Sequence, residues 1–292
     1  MWRAIEQAIS STLGEDFKVL DSHSVAGGCI NEAFRLQGQK QGFFVKLNRI
    51  DSLAMFEAEA AALRAIRATG TLRAPEPIAT GADTQHSFLV LEHISFAGPP
   101  AAADARLGEL LAAMHRNSSG AFGWKHDNTI GSTPQLNGWT QDWLTFLRQY
   151  RFGPQLAWAR DAGLPTETTR RAGQLLEALP ALFTGYHPQP SLLHGDLWSG
   201  NRATDSSGSP VIFDPAVYYG DREADIAMTE LFGGFSAGFY QAYNATWPLD
   251  PGYETRKKLY NLYHVLNHFN LFGGGYAAQA QTLIDRLLAE LR

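Results

Sequence analysis

A single cysteine, Cys29, stands among 292 residues, so no disulfide can form within the chain and an oxidising compartment is not indicated. No apolar run approaches the roughly 20 residues needed to span a bilayer. Positive charge is not in excess either. The 24 Lys and Arg residues against 29 Asp and Glu leave a formal net charge of -5, which removes any general electrostatic drive toward nucleic acid or anionic membrane. An anionic ligand must therefore meet locally placed cations or backbone N–H groups. The opening segment MWRAIEQAISSTLGEDF carries Glu6, Glu15 and Asp16, where a secretory signal would be basic and then apolar. A cytoplasmic, unanchored protein is expected, with no nucleic-acid and no membrane partner.

What is present suits a globular chain: 45% hydrophobic and 18% charged residues, enough for one large domain or two lobes. Trp2, Ile5, Ile9 and Leu13 recur at helical spacing, with Gly14 as a stop. Strands are predicted over 17–25, 30–36 and 43–47, broken at Gly27-Gly28 and between Gly38 and Gly42, then a helix over about 52–68 and a strand over 87–92. The segment 96–103, with Gly98-Pro99-Pro100, reads as a linker. Lobe bounds of 1–94 and 95–292 follow, the first strand-rich and the second mostly helical. Helices are predicted there at about 104–116, 139–160, 166–179, 222–245 with breaks, 253–271 and 276–291, and short strands at 191–193 and 211–213. The fold class expected is α+β.

The most informative stretch is His194-Gly195-Asp196-Leu197-Trp198-Ser199-Gly200-Asn201, followed by Val211-Ile212-Phe213-Asp214-Pro215. Each places chemistry-bearing side chains in a loop directly after a short apolar strand, where such groups are usually mounted. Phosphoryl transfer from ATP to a hydroxyl asks for positioning, metal ions on the phosphates and an acceptor for the hydroxyl proton. Asp196 fits the base, while Asn201 and Asp214 fit oxygen ligands for Mg²⁺. Lys46 sits inside the apolar stretch 43–47. Of the two following glutamates, Glu57 and Glu59, about 200° apart around a helix, Glu59 lies toward the Phe56, Leu63 and Ile66 face. A Lys46–Glu59 pair would aim the ammonium at the phosphates. The Gly27-Gly28 turn offers backbone N–H groups for phosphates, and the order along the chain puts an adenine-binding hinge at Glu92-His93-Ile94, through the backbone of Glu92 and Ile94. His264 and His268, one helical turn apart, lack further ligands for zinc.

In GGCINEAF, FFVKLN, MFEAEAAAL, FLVLEHI, LLHGDLWSGN, IFDPAVYYGDREADIAM, ELFGGF and LYHVLNHFNLFGGGY the chain resembles the fructosamine kinase (ketosamine 3-kinase) family, of the protein-kinase-like superfamily, in family order from about residue 18 to 290. The resemblance implies a two-lobed protein-kinase-like fold. It also implies ATP- and Mg²⁺-dependent phosphorylation of the 3-hydroxyl of a ketosamine on a protein lysine or free amine. The phosphorylated adduct sheds its sugar, which makes the pathway one of deglycation and repair. It gives Asp196 the role of base, Asn201 and Asp214 that of metal ligands, and Lys46 with Glu59 that of phosphate-orienting pair. Trp198 matches a tryptophan lining the sugar site, His264 is a candidate for lining the same pocket, and Asp225 matches a residue bracing the catalytic loop. Cysteine-bearing glycine loops in parts of the family imply a Cys29-linked homodimer as the alternative to a monomer. The other function weighed is a kinase of a different small hydroxyl compound, an aminoglycoside or choline, against which Trp198 and FDPAVYYG argue.

Overall fold

The structure, a computed structural model, describes residues 1–26, 30–98 and 103–291. In chain order, α1 (Trp2–Leu13), β1 (Asp21–Val25), β2 (Glu32–Gln37), β3 (Gly42–Arg49), α2 (Leu53–Ala68), β4 (Pro77–Ala82), β5 (His86–Glu92) and β6 (Phe96–Ala97) come first. They are followed by α3 (Ala103–His115), β7 (Asn128–Ile130), β8 (Thr133–Gln135), α4 (Trp143–Phe146), a π-helical turn (Leu147–Phe152), α5 (Gly153–Asp161) and α6 (Thr166–Leu182). The remainder is β9 (Ser191–Leu193), β10 (Arg202–Asp205), β11 (Pro210–Ile212), β12 (Tyr218–Gly220), α7 (Glu223–Leu231), α8 (Ala237–Thr246), α9 (Tyr253–Phe272) and α10 (Tyr276–Glu290). The class is mixed α+β. Among the described residues no helix is long and apolar enough to cross a membrane.

The chain divides into two compact units, residues 1–103 with 202–215, and residues 104–201 with 216–292. This differs from bounds at 94 and 95 for a physical reason. The expected linker begins as a strand: β6 pairs antiparallel with β10, Thr204 opposite Ala97 and Asp205 opposite Phe96, and β10 pairs with β11. Those pairings tie 202–215 to the first unit, and the Phe96 and Phe213 rings stack at 5.6 Å.

In the first unit an antiparallel sheet runs in the order β1-β2-β3-β5-β4. Strand side chains alternate between faces, and the register sets Val45 opposite Val90 and Phe34, and Leu47 opposite Phe88. Phe43, Val45, Leu47, Phe88, Val90 and Leu36 thus share one face and pack on Ile5 and Ile9 of α1 and on Phe17. The first predicted strand starts late because Phe17 is drawn into this core, its ring edge-on to Phe43 at 5.1 Å. Lys46, out of phase with Val45 and Leu47, points to the opposite face. β4 was not anticipated, since Pro75 and Pro77 read as breakers; it is an edge strand, where a proline at the first position costs no ladder bond.

In the second unit α9 is buried nearly all round, from Tyr253 to Phe269, as a helix at the centre of a bundle must be. The single helix expected over 139–160 is three pieces, because Pro154 near the start of α5 cannot donate back into the preceding turn, and the π-helical stretch falls there.

Candidate active site

In the first unit, Lys46 on β3, Glu59 on α2 and Asp214 just after β11 come together. The Lys46 ammonium lies 2.6 Å from Glu59 Oε1 and 2.6 Å from Asp214 Oδ1. Lys46 is buried. Burial alone would depress its pKa, but the Glu59 and Asp214 carboxylates overturn that, so the net direction is upward and the side chain stays a cation. Burial also pushes the Glu59 carboxyl up, against the pull of the ammonium. Glu57 is exposed, as its place around the helix requires. Among the described residues Asp214 is the one non-glycine at positive φ, 57°, a conformation Asp tolerates better than most residues and one that recurs where strain serves a site.

The hinge residues sit at the end of β5. The Glu92 N–H donates to the Glu76 carbonyl at 2.8 Å, so that group is spent within the fold and is not presented to a ligand as expected. The Glu92 side chain accepts from Arg73 at 2.6 Å, and Ile94 is buried. Gly27, Gly28 and Cys29 lie outside the described residues.

In the second unit the loop after β9 is built around Asp225 of α7. The buried Asp225 carboxylate accepts the N–H of His194 at 2.7 Å and the N–H of Gly195 at 2.8 Å. His115, at the end of α3, meets the same carboxylate at 3.1 Å through Nε2, while its Nδ1 meets the Tyr243 hydroxyl at 2.8 Å. Burial pushes the Asp225 carboxyl up, but the bonds from His115 and Gly195 N–H and the nearby His194 hold it below its ordinary value. The loop then closes on itself. Asn201 Nδ2 donates to the Asp196 carbonyl at 2.9 Å and to its carboxylate at 3.3 Å; of the two amide atoms of Asn201 the oxygen is the one whose lone pairs suit a cation. The Trp198 indole lies over Gly200, where an added Cβ would meet the ring at 2.2 Å, and is 39% exposed.

Gly195 has φ +83°, and a Cβ there would stand 2.0 Å from the Ala216 carbonyl oxygen. Ala216 is itself fixed, its N–H donating to the His194 carbonyl at 2.8 Å and its carbonyl accepting from Gln135 Nε2 at 3.0 Å. Gly195→Ala is therefore expected to cost at least about 2 kcal/mol, from left-handed strain plus overlap with backbone that cannot retreat. Urea denaturation checks this; a change within 0.5 kcal/mol, as typical of surface substitutions, would contradict it. Gln135, His115 and Tyr243 were not singled out from sequence. The available signal is a polar residue inside an otherwise apolar helical or strand pattern, as at His115, and it does not say which distant group the residue meets.

His264 on α9 is buried beside Tyr263, with no hydrogen-bond partner at Nδ1 among the described residues. Burial first, and then neighbouring His268, lowers its pKa to about 3, so it is a neutral imidazole.

Residues 1–290 match the fructosamine kinase family. The chain belongs to that family. Among its relatives, a probable ketoamine kinase of Synechocystis is 49% identical, covering 98% of this chain and 97% of that protein. The chloroplastic protein-ribulosamine 3-kinase of Arabidopsis thaliana is 45% identical over 96% of this chain and 86% of its own. The crystal structure of a fructosamine-3-kinase candidate from Haemophilus somnus superposes on this fructosamine kinase family member with a TM-score of 0.90 at 30% identity, covering 99% and 98% of the two chains. An aminoglycoside phosphotransferase crystallised with AMP-PNP and hygromycin B gives 0.66 at 18% identity over 98% of each, which speaks to the kinase-like fold alone.

Proposed function

We propose that the protein is an ATP-dependent kinase of ketosamines, transferring the γ-phosphoryl group to the sugar 3-hydroxyl of a ribulosamine, erythrulosamine or fructosamine carried on lysine or a free amine. The observation that carries this reading is the nearly full-length likeness to a protein-ribulosamine 3-kinase at 45% identity. The side chains supply what the chemistry requires. Asp196 accepts the proton of the 3-hydroxyl as that oxygen bonds to the γ-phosphorus and the bond to the departing ADP oxygen breaks. Its loop is held by Asp225 and its carboxylate meets Asn201, which keeps the base still. Lys46, kept cationic between two carboxylates, steadies the nucleotide phosphates.

Asp214 and the Asn201 amide oxygen fit Mg²⁺ in kind, since it takes hard oxygen donors and completes its shell with water and phosphate. When bound, Mg²⁺ neutralises phosphate charge. Trp198 offers an indole face to the C–H side of the sugar. The backbone of Ile94 and the Glu92 carbonyl are the adenine contacts in this reading, and the compartment is the cytoplasm.

Incubating the purified protein with ATP and a panel of ribulosyl-, erythrulosyl- and fructosyl-lysine, an aminoglycoside and choline tests it. ADP release and a new phosphate signal coupled to the sugar C3 proton are expected with ketosamines. Turnover with only the aminoglycoside or choline would overturn the assignment.

A further inference from the structure

Two exposed phenylalanines of the second unit stand out. Phe232, just past α7, is 43% exposed, and Phe272, at the end of α9, is 62% exposed. Each is followed by two glycines in left-handed backbone, Gly233 and Gly234 at φ 69° and 91°, and Gly273 and Gly274 at 64° and 62°. Isolated exposed phenylalanines need no explanation, but these two are not isolated. Both rings face one imidazole, His268, with centroids 5.0 Å away for Phe232 and 5.7 Å for Phe272, and Tyr276 faces it at 5.1 Å. The three rings are tilted by 46° to 55° to the imidazole, walls around it rather than a stack.

The cluster adjoins the catalytic loop. An added Cβ on Gly234 would meet Ser199 Cβ at 2.5 Å, so the turn carrying Phe232 lies against the residue that follows Trp198. His268 is oriented as well. Its Nδ1 is 2.8 Å from the His264 carbonyl, which can only accept, so Nδ1 carries a proton and Nε2 is the ring nitrogen that this bond does not use. Aromatic rings beside one imidazole suit a substituted ammonium with methylenes attached: the rings attract the cation and cover the alkyl chain, and an unprotonated Nε2 can accept an N–H.

On the ketosamine reading above, the acceptor has such a group. Its sugar is joined to a secondary amine, protonated near neutrality, whose other substituent on a modified lysine is a four-carbon stem. We propose that Phe232, His268, Phe272 and Tyr276 form the subsite for this alkylammonium arm, with Trp198 on the sugar side, so that the enzyme selects adducts with a long aliphatic amine over adducts of small amines.

The test compares kcat/KM for the ribulosyl adduct of Nα-acetyl-lysine with that for the ribulosyl adduct of methylamine, in the wild type, Phe232→Ala and Phe272→Ala. The wild type is expected to favour the lysine adduct, and each variant to lower that preference about tenfold, mostly through KM of the lysine adduct. A preference within twofold of wild type in both variants overturns the subsite. Phe272, more exposed, carries the test if Phe232→Ala fails to fold. A wild type that phosphorylates both adducts equally also overturns the subsite while leaving the kinase assignment standing. A wild type inert toward both overturns that assignment and the subsite with it.

Discussion

Asp196→Asn is expected to lower kcat by about 10²- to 10⁴-fold, the usual contribution of a positioned general base. The replacement is nearly isosteric, and the shorter of the two bonds that Asn201 Nδ2 donates to Asp196, at 2.9 Å, goes to the backbone carbonyl, so the variant keeps it. The loop is held from behind by Asp225 through the N–H groups of His194 and Gly195, neither of which involves the Asp196 side chain. The loss should thus fall on the chemical step. Single-turnover phosphorylation of a ribulosyl-lysine measures it, and thermal stabilisation by ATP, expected to match wild type, shows that nucleotide still binds. A drop of less than tenfold would mean that another group accepts the proton, and a loss of nucleotide stabilisation would mean that Asp196 acts in binding.

How far this site could be read from sequence depends on whether its parts are local. Lys46 was legible because a helix with two glutamates follows the lysine set among Phe43, Phe44, Val45 and Leu47, and counting around that helix chose Glu59 over Glu57; Glu59 Oε1 lies 2.6 Å from the ammonium. That Asp214 is the second partner of Lys46 could not be read, because it lies 168 residues away and depends on how 202–215 joins the first unit. The pairing of β6 with β10 was hidden for the same reason, since a two-residue strand has no periodicity to detect. Glu92 shows the opposite limit: its place at the end of a strand was legible, but the destination of its N–H was set by Glu76, a residue in the approach to an unanticipated edge strand. The aromatic cluster at His268 could not be read, since helical spacing cannot say that Phe232, from a different helix end, lies beside it.

Asp225→Ala is expected to be strongly destabilising. It strips the acceptor from three buried groups at once, the N–H of His194, the N–H of Gly195 and Nε2 of His115. Leaving a buried donor unsatisfied costs about 1–3 kcal/mol, so a loss on the order of 3 kcal/mol or more follows, together with a fall in kcat as the Asp196 loop loses its support. Asp225→Asn is expected to be intermediate in stability, because its amide retains one acceptor oxygen but turns an NH₂ toward a group that also donates. The pH dependence separates this bracing from a general packing defect. The folded-state pKa of Asp225 is lowered, so its contribution is complete above the ordinary carboxylate value, about 3.9, and is lost as the pH falls through the depressed folded value. The share of the stability difference between wild type and Asp225→Ala that comes from ionisation of Asp225 should accordingly stay constant from neutrality down to about pH 4 and narrow only below it. Urea unfolding across that range reads the difference directly. Narrowing that is already complete at pH 5 would place the titrating group elsewhere and remove Asp225 as the charged brace of the loop.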